Sequence, residues 1–201
     1  MNIPNRLTLS RIILTPVFLL VLILPFPHHM LLAALIFIGA SITDAIDGNY
    51  ARKHDLITDF GKFLDPIADK MLTTAAFLGF IFLGIGKGIV IITFLVLFRE
   101  FVISSIRLAA AASGTVIAAN RYGKFKTVMQ MVAIITAMFF EYFKFLSARY
   151  FGNFLATFAG GAIETGMNVL VDLMLWAAAV LTVISGIIYV VQNKKCIDTN
   201  K

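Results

Sequence analysis

Long apolar runs separated by short polar clusters set the pattern of this chain. The first run covers residues 12–24, after a polar start with Asn5, Arg6, Thr8 and Ser10, and it stops at Pro25 and Pro27. Runs of this length read as helices that enter or cross a bilayer. Further helices are expected over about residues 30–52, from Lys62 to the glycines at 84–88, and over about 88–112, 123–146 and 167–191. The polar start and apolar core resemble a secretory signal, but no small-residue cleavage site follows and more apolar runs do. The first run therefore reads as a retained helix. The pattern predicts an all-α, polytopic membrane protein, with six transmembrane helices around a cytoplasm-facing polar cavity and residues 1–201 as a single domain. Residues 147–165, with Gly152, Gly160 and Gly161, lack a clear period and admit three readings: an outer loop, an interfacial segment or a broken helix.

Composition narrows the setting. With 60% hydrophobic and 14% charged residues among 201, the chain is too apolar for a soluble domain of its size. A net charge of +6 points to anionic lipid headgroups rather than nucleic acid, because the basic residues do not line one soluble face. Cys196 is the single cysteine, so there is no internal disulfide and no cysteine metal cluster. Of the 17 lysines and arginines, only Lys87, Lys144 and Arg149 fall on one side of the expected spans, with Arg99 inside a span. The remainder fall on the side of both termini, and the positive-inside rule makes that side cytoplasmic. His28 and His29 sit in a short turn without metal-ligand partners and read as loop histidines. The aromatic stretch at 139–145 and Trp176 read as lipid contact, interfacial belt or packing.

The chemistry concentrates in D-A-I-D-G-N-Y-A-R and, eight residues later, G-K-F-L-D-P-I-A-D. Asp44 and Asp47 are three apart and Asp65 and Asp69 four apart, so on helices each pair shares a face. Four convergent carboxylates repel one another unless cations lie between them, and oxygen ligands suit hard divalent ions such as Mg²⁺ or Mn²⁺. Acids beside apolar spans are costly, and are therefore candidates for function. Gly48 lacks a Cβ and lets a diphosphate approach the backbone, and Arg52, one turn on, offers a planar fork for phosphate oxygens. Gly61 would allow a tight turn into the second acidic helix. The bland reading is a solvated charged loop that only caps helices, and the fixed spacing argues against it.

A second polar stripe lies in the fourth expected helix, R-E-F-V-I-S-S-I-R. Glu100, Ser104 and Arg107 share one face there. Arg99 and Glu100 suit a structural pairing, and Arg107 suits a cavity for an anion. Arg121, Lys124 and Lys126 cluster at the start of the fifth helix, where the helix dipole also favours anions. Positive-inside topology alone would also place basic residues there.

The pattern D-x2-D-G-x2-A-R-x8-G-x3-D-x3-D resembles, without gap or mismatch, the signature of the CDP-alcohol phosphotransferases. These integral membrane enzymes move a phosphatidyl or similar group from a CDP-linked donor to an alcohol. Within that family, R-E-x6-R followed by G-x-V-I-A-A and G-K-x-K-T-x2-Q resembles bacterial members whose acceptor is glycerol 3-phosphate. The likeness runs from the amino terminus through Gln130. It implies two Mg²⁺ or Mn²⁺ ions held by Asp44, Asp47, Asp65 and Asp69, with Asp69 also the general base. It implies contacts from Gly48, Arg52 and Thr58 to CDP-diacylglycerol, with Asn5 and Thr8 as further candidates. Arg107, Arg121, Lys124 and Lys126 would meet the acceptor phosphate. A homodimer in the bacterial inner membrane, with the site cytoplasmic, is implied as well.

Two other readings remain open at this level. One keeps the chemistry and changes the acceptor to serine, inositol phosphate or phosphatidylglycerol; a neutral or lipid acceptor would not need the basic cluster. The other is a cation-coupled transporter, which predicts acids near the midplane and an internal repeat. This chain masses its acids at one side and shows no repeat.

Overall fold

The computed structural model describes the backbone of residues 3–53, 59–112 and 121–193, and the side chains of residues 9–43, 68, 70–110, 123, 125–158 and 160–193. Every described element is helical. In order they are α1 Ile3–Ile23, α2 His29–Lys53, α3 Asp59–Leu83, α4 Ile89–Ala112, α5 Arg121–Tyr150, the short α6 Phe154–Thr157, a 3₁₀ turn Phe158–Gly161, and α7 Ala162–Gln192. Six of these coincide with the six apolar runs. The helix ends differ from the expectation where polar residues are helical too. α1 takes in the polar start, α5 continues to Tyr150, and α7 begins with Glu164 in its first turn, where a carboxylate complements the helix dipole.

Among the described residues, three helical stretches are long and apolar enough to cross a membrane: Ile89–Ala110, Phe125–Tyr150 and Ala162–Gln192. Leu9–Ile23, His29–Thr43 and Lys70–Leu83 are apolar but shorter.

The chain forms two compact units, Met1–Ile85 with Ile134–Met167, and Gly86–Ala133 with Asn168–Lys201. In the first unit α1 packs against both α2 and α3. Its buried stripe is Arg11, Thr15, Phe18 and Leu22, at the three- and four-residue steps that keep one helix face turned inward. Pro16 lies inside α1 and removes a backbone donor, while the Thr15 hydroxyl donates to the Arg11 carbonyl at 2.8 Å. Phe18 meets Phe37 of α2 with ring centroids 5.6 Å apart. Gly79 of α3 lies against Leu22 so closely that a Cβ there would overlap the leucine Cδ2.

That close approach gives a stability prediction. Gly79→Leu is expected to destabilise the protein by about 1–3 kcal/mol through overpacking, because Leu22 and Phe80 beside it are fully buried. Thermal unfolding in detergent measures it, and an unchanged midpoint would mean that α1 and α3 do not meet at Gly79.

The α1–α2 turn is more ordered than a simple loop. His28 takes a left-handed conformation with φ 63°. Its Nδ1 lies 3.0 Å from the Tyr142 hydroxyl, and its ring meets Phe145 edge-on. His29 is the first residue of α2, and its Nδ1 lies 2.9 Å from the Leu22 carbonyl. Tyr142 and Phe145 of the aromatic stretch at 139–145 thus serve packing, while Phe143 is exposed. Residues 147–165 form a broken helix: Gly152 and Asn153 (φ 56° and 61°) end α5, and Gly160 and Gly161 (φ 64° and 80°) precede α7.

In the second unit, the turn before α4 is tied to α7. The Lys87 N–H donates to Asp172 Oδ1 at 2.8 Å, and Trp176 Nε1 donates to the Lys87 carbonyl at 3.0 Å. Gly88 (φ 73°) lies against the Trp176 ring, so Trp176 packs and hydrogen-bonds as well as touching the surroundings.

Candidate active site

The acidic motif lies on two helices of the first unit. Asp44, Asp47, Gly48 and Arg52 are on α2, and Asp65 and Asp69 are on α3. Gly61 lies within the first turn of α3, because that helix begins at Asp59. The side chains of these residues, like those of Asn5 and Thr8 on α1, are outside the described set, and Thr58 lies outside the described residues altogether. Backbone register nevertheless places their positions.

On α2 the buried positions are Met30, Ala33, Ala34, Phe37 and Ala40. Steps of three and four carry that stripe to positions 44, 47 and 48. On α3 the buried stripe of Ala68, Leu72, Ala75, Ala76 and Phe80 takes in positions 65 and 69 at the same steps. Position 8 of α1 likewise continues its stripe of Arg11, Thr15 and Phe18, with position 5 one further three-residue step away.

Four carboxylate positions therefore continue stripes that are apolar and buried elsewhere on α2 and α3, and both helices pack on α1. Carboxylates brought close together repel one another unless a counter-charge or a cation lies between them. An all-carboxylate donor set of this kind fits hard divalent cations. Among the described side chains, which do not include these four, no group of three or more His, Cys, Asp or Glu could hold a metal ion.

Arg11, one of the basic residues on the side of the termini, has a further place in the fold. It is 6% exposed on the inward stripe of α1, on the stretch that leads toward the polar amino-terminal end. An arginine four residues before Thr15 and seven before Phe18 was the available signal for it.

The second unit contains the other polar stripe. Glu100 Oε1 accepts a hydrogen bond from Arg99 Nη1 at 3.1 Å and one from Lys126 Nζ. Arg99 Nη2 donates to the Ser185 hydroxyl at 3.4 Å. The carboxylate thus joins α4 to α5, and the guanidinium joins α4 to α7. Gly186 makes room: a Cβ there would lie 2.9 Å from Arg99 Cγ, and one at Gly123 would lie 3.6 Å from Arg99 Nη2. This is the structural pairing expected of Arg99 and Glu100, with Lys126 drawn into it; Lys126 is 3% exposed.

Arg107, two turns beyond Glu100, is exposed. Its Nε donates to the Tyr189 hydroxyl at 3.2 Å, and its guanidinium carbon lies 5.4 Å from the centroid of that ring. Tyr189 is 2% exposed, so a fixed phenol orients the guanidinium. No sequence signal singled out this tyrosine, which is 82 residues from its partner. Arg121 and Lys124 lie in the first turn of α5, with their side chains outside the described set.

An all-helical chain with long apolar helices and an acidic motif shared by two helices defines a class of membrane-associated proteins. The sequence model of the CDP-alcohol phosphatidyltransferase family matches residues 1–192, and the chain belongs to that family. Among its relatives, the CDP-diacylglycerol–glycerol-3-phosphate 3-phosphatidyltransferase of Bacillus subtilis (strain 168) is 35% identical over 212 residues, covering 99% of this chain and 98% of that protein. The protein of the same name from Rickettsia bellii (strain RML369-C) is 35% identical over 196 residues, with 96% of each chain covered. A probable phosphatidylglycerophosphate synthase of Mycobacterium tuberculosis (strain H37Rv) is 38% identical over 192 residues, covering 94% of this chain and 80% of that one.

Proposed function

We propose that this chain is a membrane transferase of phospholipid synthesis that moves the phosphatidyl group of CDP-diacylglycerol to glycerol 3-phosphate, giving phosphatidylglycerol phosphate and CMP. The observation that supports the reading is that, by helix register, the four carboxylate positions continue the buried stripes of α2 and α3. The names of the full-length relatives support the donor and the acceptor.

Use of a divalent metal accompanies membership of the family. Asp44, Asp47, Asp65 and Asp69 would hold two such ions, Mg²⁺ or Mn²⁺. When bound, they neutralise the charge of the diphosphate and of the departing phosphate. Asp69 receives the proton of the acceptor hydroxyl as that oxygen bonds to the phosphatidyl phosphorus, and the electron pair of the broken P–O bond leaves with CMP. Gly48 admits the diphosphate close to the α2 backbone. Arg52 and Thr58, with Asn5 and Thr8 from α1, contact the CDP moiety. Arg107, Arg121, Lys124 and Lys126 bind the acceptor phosphate. Tyr189 aims Arg107, and Glu100 sets the position of Lys126.

Six membrane helices fit the lengths. α1, α2 and α3 have 21, 25 and 25 residues, about 31–37 Å at the rise of an α-helix, against a hydrocarbon core of about 30 Å. Their polar ends would form a cavity open to the cytoplasm, with both termini on that side, in the inner membrane of a bacterial cell. The whole chain would act as one catalytic domain, paired as a homodimer.

The acceptor assignment rests on Arg107. Arg107→Ala is expected to raise the apparent KM for glycerol 3-phosphate about tenfold or more, the cost of losing a charge-assisted hydrogen bond, while leaving the KM for CDP-diacylglycerol near its original value. Initial rates of CMP release at varied acceptor concentration measure it. An unchanged acceptor KM would move the phosphate site away from α4.

A further inference from the structure

The first unit has a second polar site, away from the acidic motif. It is a cavity of about 410 Å³ whose lining includes His29, Glu141, Lys144, Phe145, Asn153 and Glu164. The start of α2, the end of α5, the turn after it and the first turn of α7 form its walls. His29 and Asp44 are fifteen residues apart on α2, about 22 Å along the helix axis. The cavity is therefore distinct from the proposed transfer site.

Its walls are built rather than loose. The Ser147 carbonyl accepts the N–H groups of Phe151 and Asn153 at 3.2 and 2.9 Å, and its hydroxyl accepts the Leu155 N–H at 2.8 Å. These bonds hold the left-handed Asn153 turn in place.

The chemistry of the lining is unbalanced. The Lys144 ammonium is paired with Glu141. Glu164 is half-buried and has no ion pair or hydrogen bond among the described residues. Among the described lining residues, two carboxylates thus stand with one ammonium. His29 adds an acceptor: because a carbonyl can only accept, its Nδ1 is the donor to Leu22, and in the neutral ring Nε2 is then a lone-pair nitrogen. A primary ammonium, with three N–H donors and one positive charge, complements both features.

The surroundings point to the source. Tyr150, Phe151, Phe154 and Phe158, on the turn that borders the cavity, are exposed large aromatic side chains, of the kind that gathers at the headgroup level of a bilayer. We propose that this cavity seats a primary ammonium group, supplied by the headgroup of a zwitterionic phospholipid, with the Glu164 carboxylate as its counter-ion.

Native mass spectrometry of the full chain tests this, with phosphatidylethanolamine, phosphatidylcholine and phosphatidylglycerol of matched acyl chains offered together, with and without excess free ethanolamine. The wild type is expected to retain phosphatidylethanolamine preferentially. Glu164→Gln is expected to lose about fivefold of that preference, with CMP release unchanged and only the small drop in melting temperature that loss of a charge at the start of α7 brings, and Glu164→Asp to restore it. Displacement by free ethanolamine would show that a soluble amine also fills the seat, whereas lack of displacement would confine it to the lipid. Equal retention of the ethanolamine and choline lipids, an unaltered preference in Glu164→Gln, or no restoration in Glu164→Asp would overturn the proposal.

Discussion

Asp69→Asn is expected to abolish turnover while weakening binding of CDP-diacylglycerol less than Asp44→Asn or Asp47→Asn does. Loss of a general base costs about 10²–10⁴ in rate. The amide keeps the shape of the side chain and an oxygen for a neighbouring cation, so the donor diphosphate loses less of its counter-charge than when Asp44 or Asp47 is neutralised. A cation close to a carboxylate lowers its basicity, so in the proposed reaction Asp69 would be held less tightly than the other three in order to accept a proton. Donor binding and single-turnover CMP release, measured on the three variants side by side, separate the roles. Equal loss of both quantities in all three would remove the division between base and metal ligands.

The second large effect is expected at Glu100. This carboxylate accepts from Arg99 and from Lys126, whose side chains are 13% and 4% exposed. Glu100→Ala removes the anion that the two cations share and leaves their like charges close together in a poorly solvated place. Breaking such a pair costs about 3–5 kcal/mol. At about 2–4 °C per kcal/mol for a chain of this size, the melting midpoint falls by about 10 °C. Glu100→Gln keeps one acceptor oxygen and is expected to lose less. Adding Lys126→Met to Glu100→Ala removes one of the two cations and is expected to recover part of the loss. Thermal unfolding of the three variants in detergent measures this. An unchanged midpoint in Glu100→Ala would mean that α4 and α5 are not held by this pair. Any surviving activity of Glu100→Ala is expected to show a raised KM for glycerol 3-phosphate, since Lys126 would no longer be fixed.

Much of this was legible in the chain because membrane helices write themselves as long apolar runs. All six long helices fall where the runs fall, and the acids were recognisable because three- and four-residue spacing reports a shared helix face. The buried stripes in line with those positions, Met30 to Ala40 on α2 and Ala68 to Phe80 on α3, came only with the structure. Residues 147–165 were illegible for a local reason. Their form depends on which of Gly152, Asn153, Gly160 and Gly161 adopt positive φ, and glycine permits that conformation without requiring it. Contacts between distant residues were also out of reach. The pairing of Arg99 with Ser185 and of Arg107 with Tyr189 spans more than eighty residues, and nothing in the apolar stretch of α7 marks Tyr189 as a partner. His28 read as a loop residue, because the Tyr142 hydroxyl that meets it comes from 114 residues away.

The most direct test of the central claim is CMP release by the purified protein in detergent with CDP-diacylglycerol and Mg²⁺, comparing glycerol 3-phosphate, serine, inositol phosphate and phosphatidylglycerol as acceptors. Turnover with glycerol 3-phosphate alone, lost in Asp69→Asn and on removal of divalent metal by chelation, is the predicted result. Turnover with another acceptor instead would preserve the acidic site and contradict the reading of Arg107 and the basic start of α5. No release with any acceptor, from protein that melts cooperatively, would contradict the proposed phosphatidyl transfer itself.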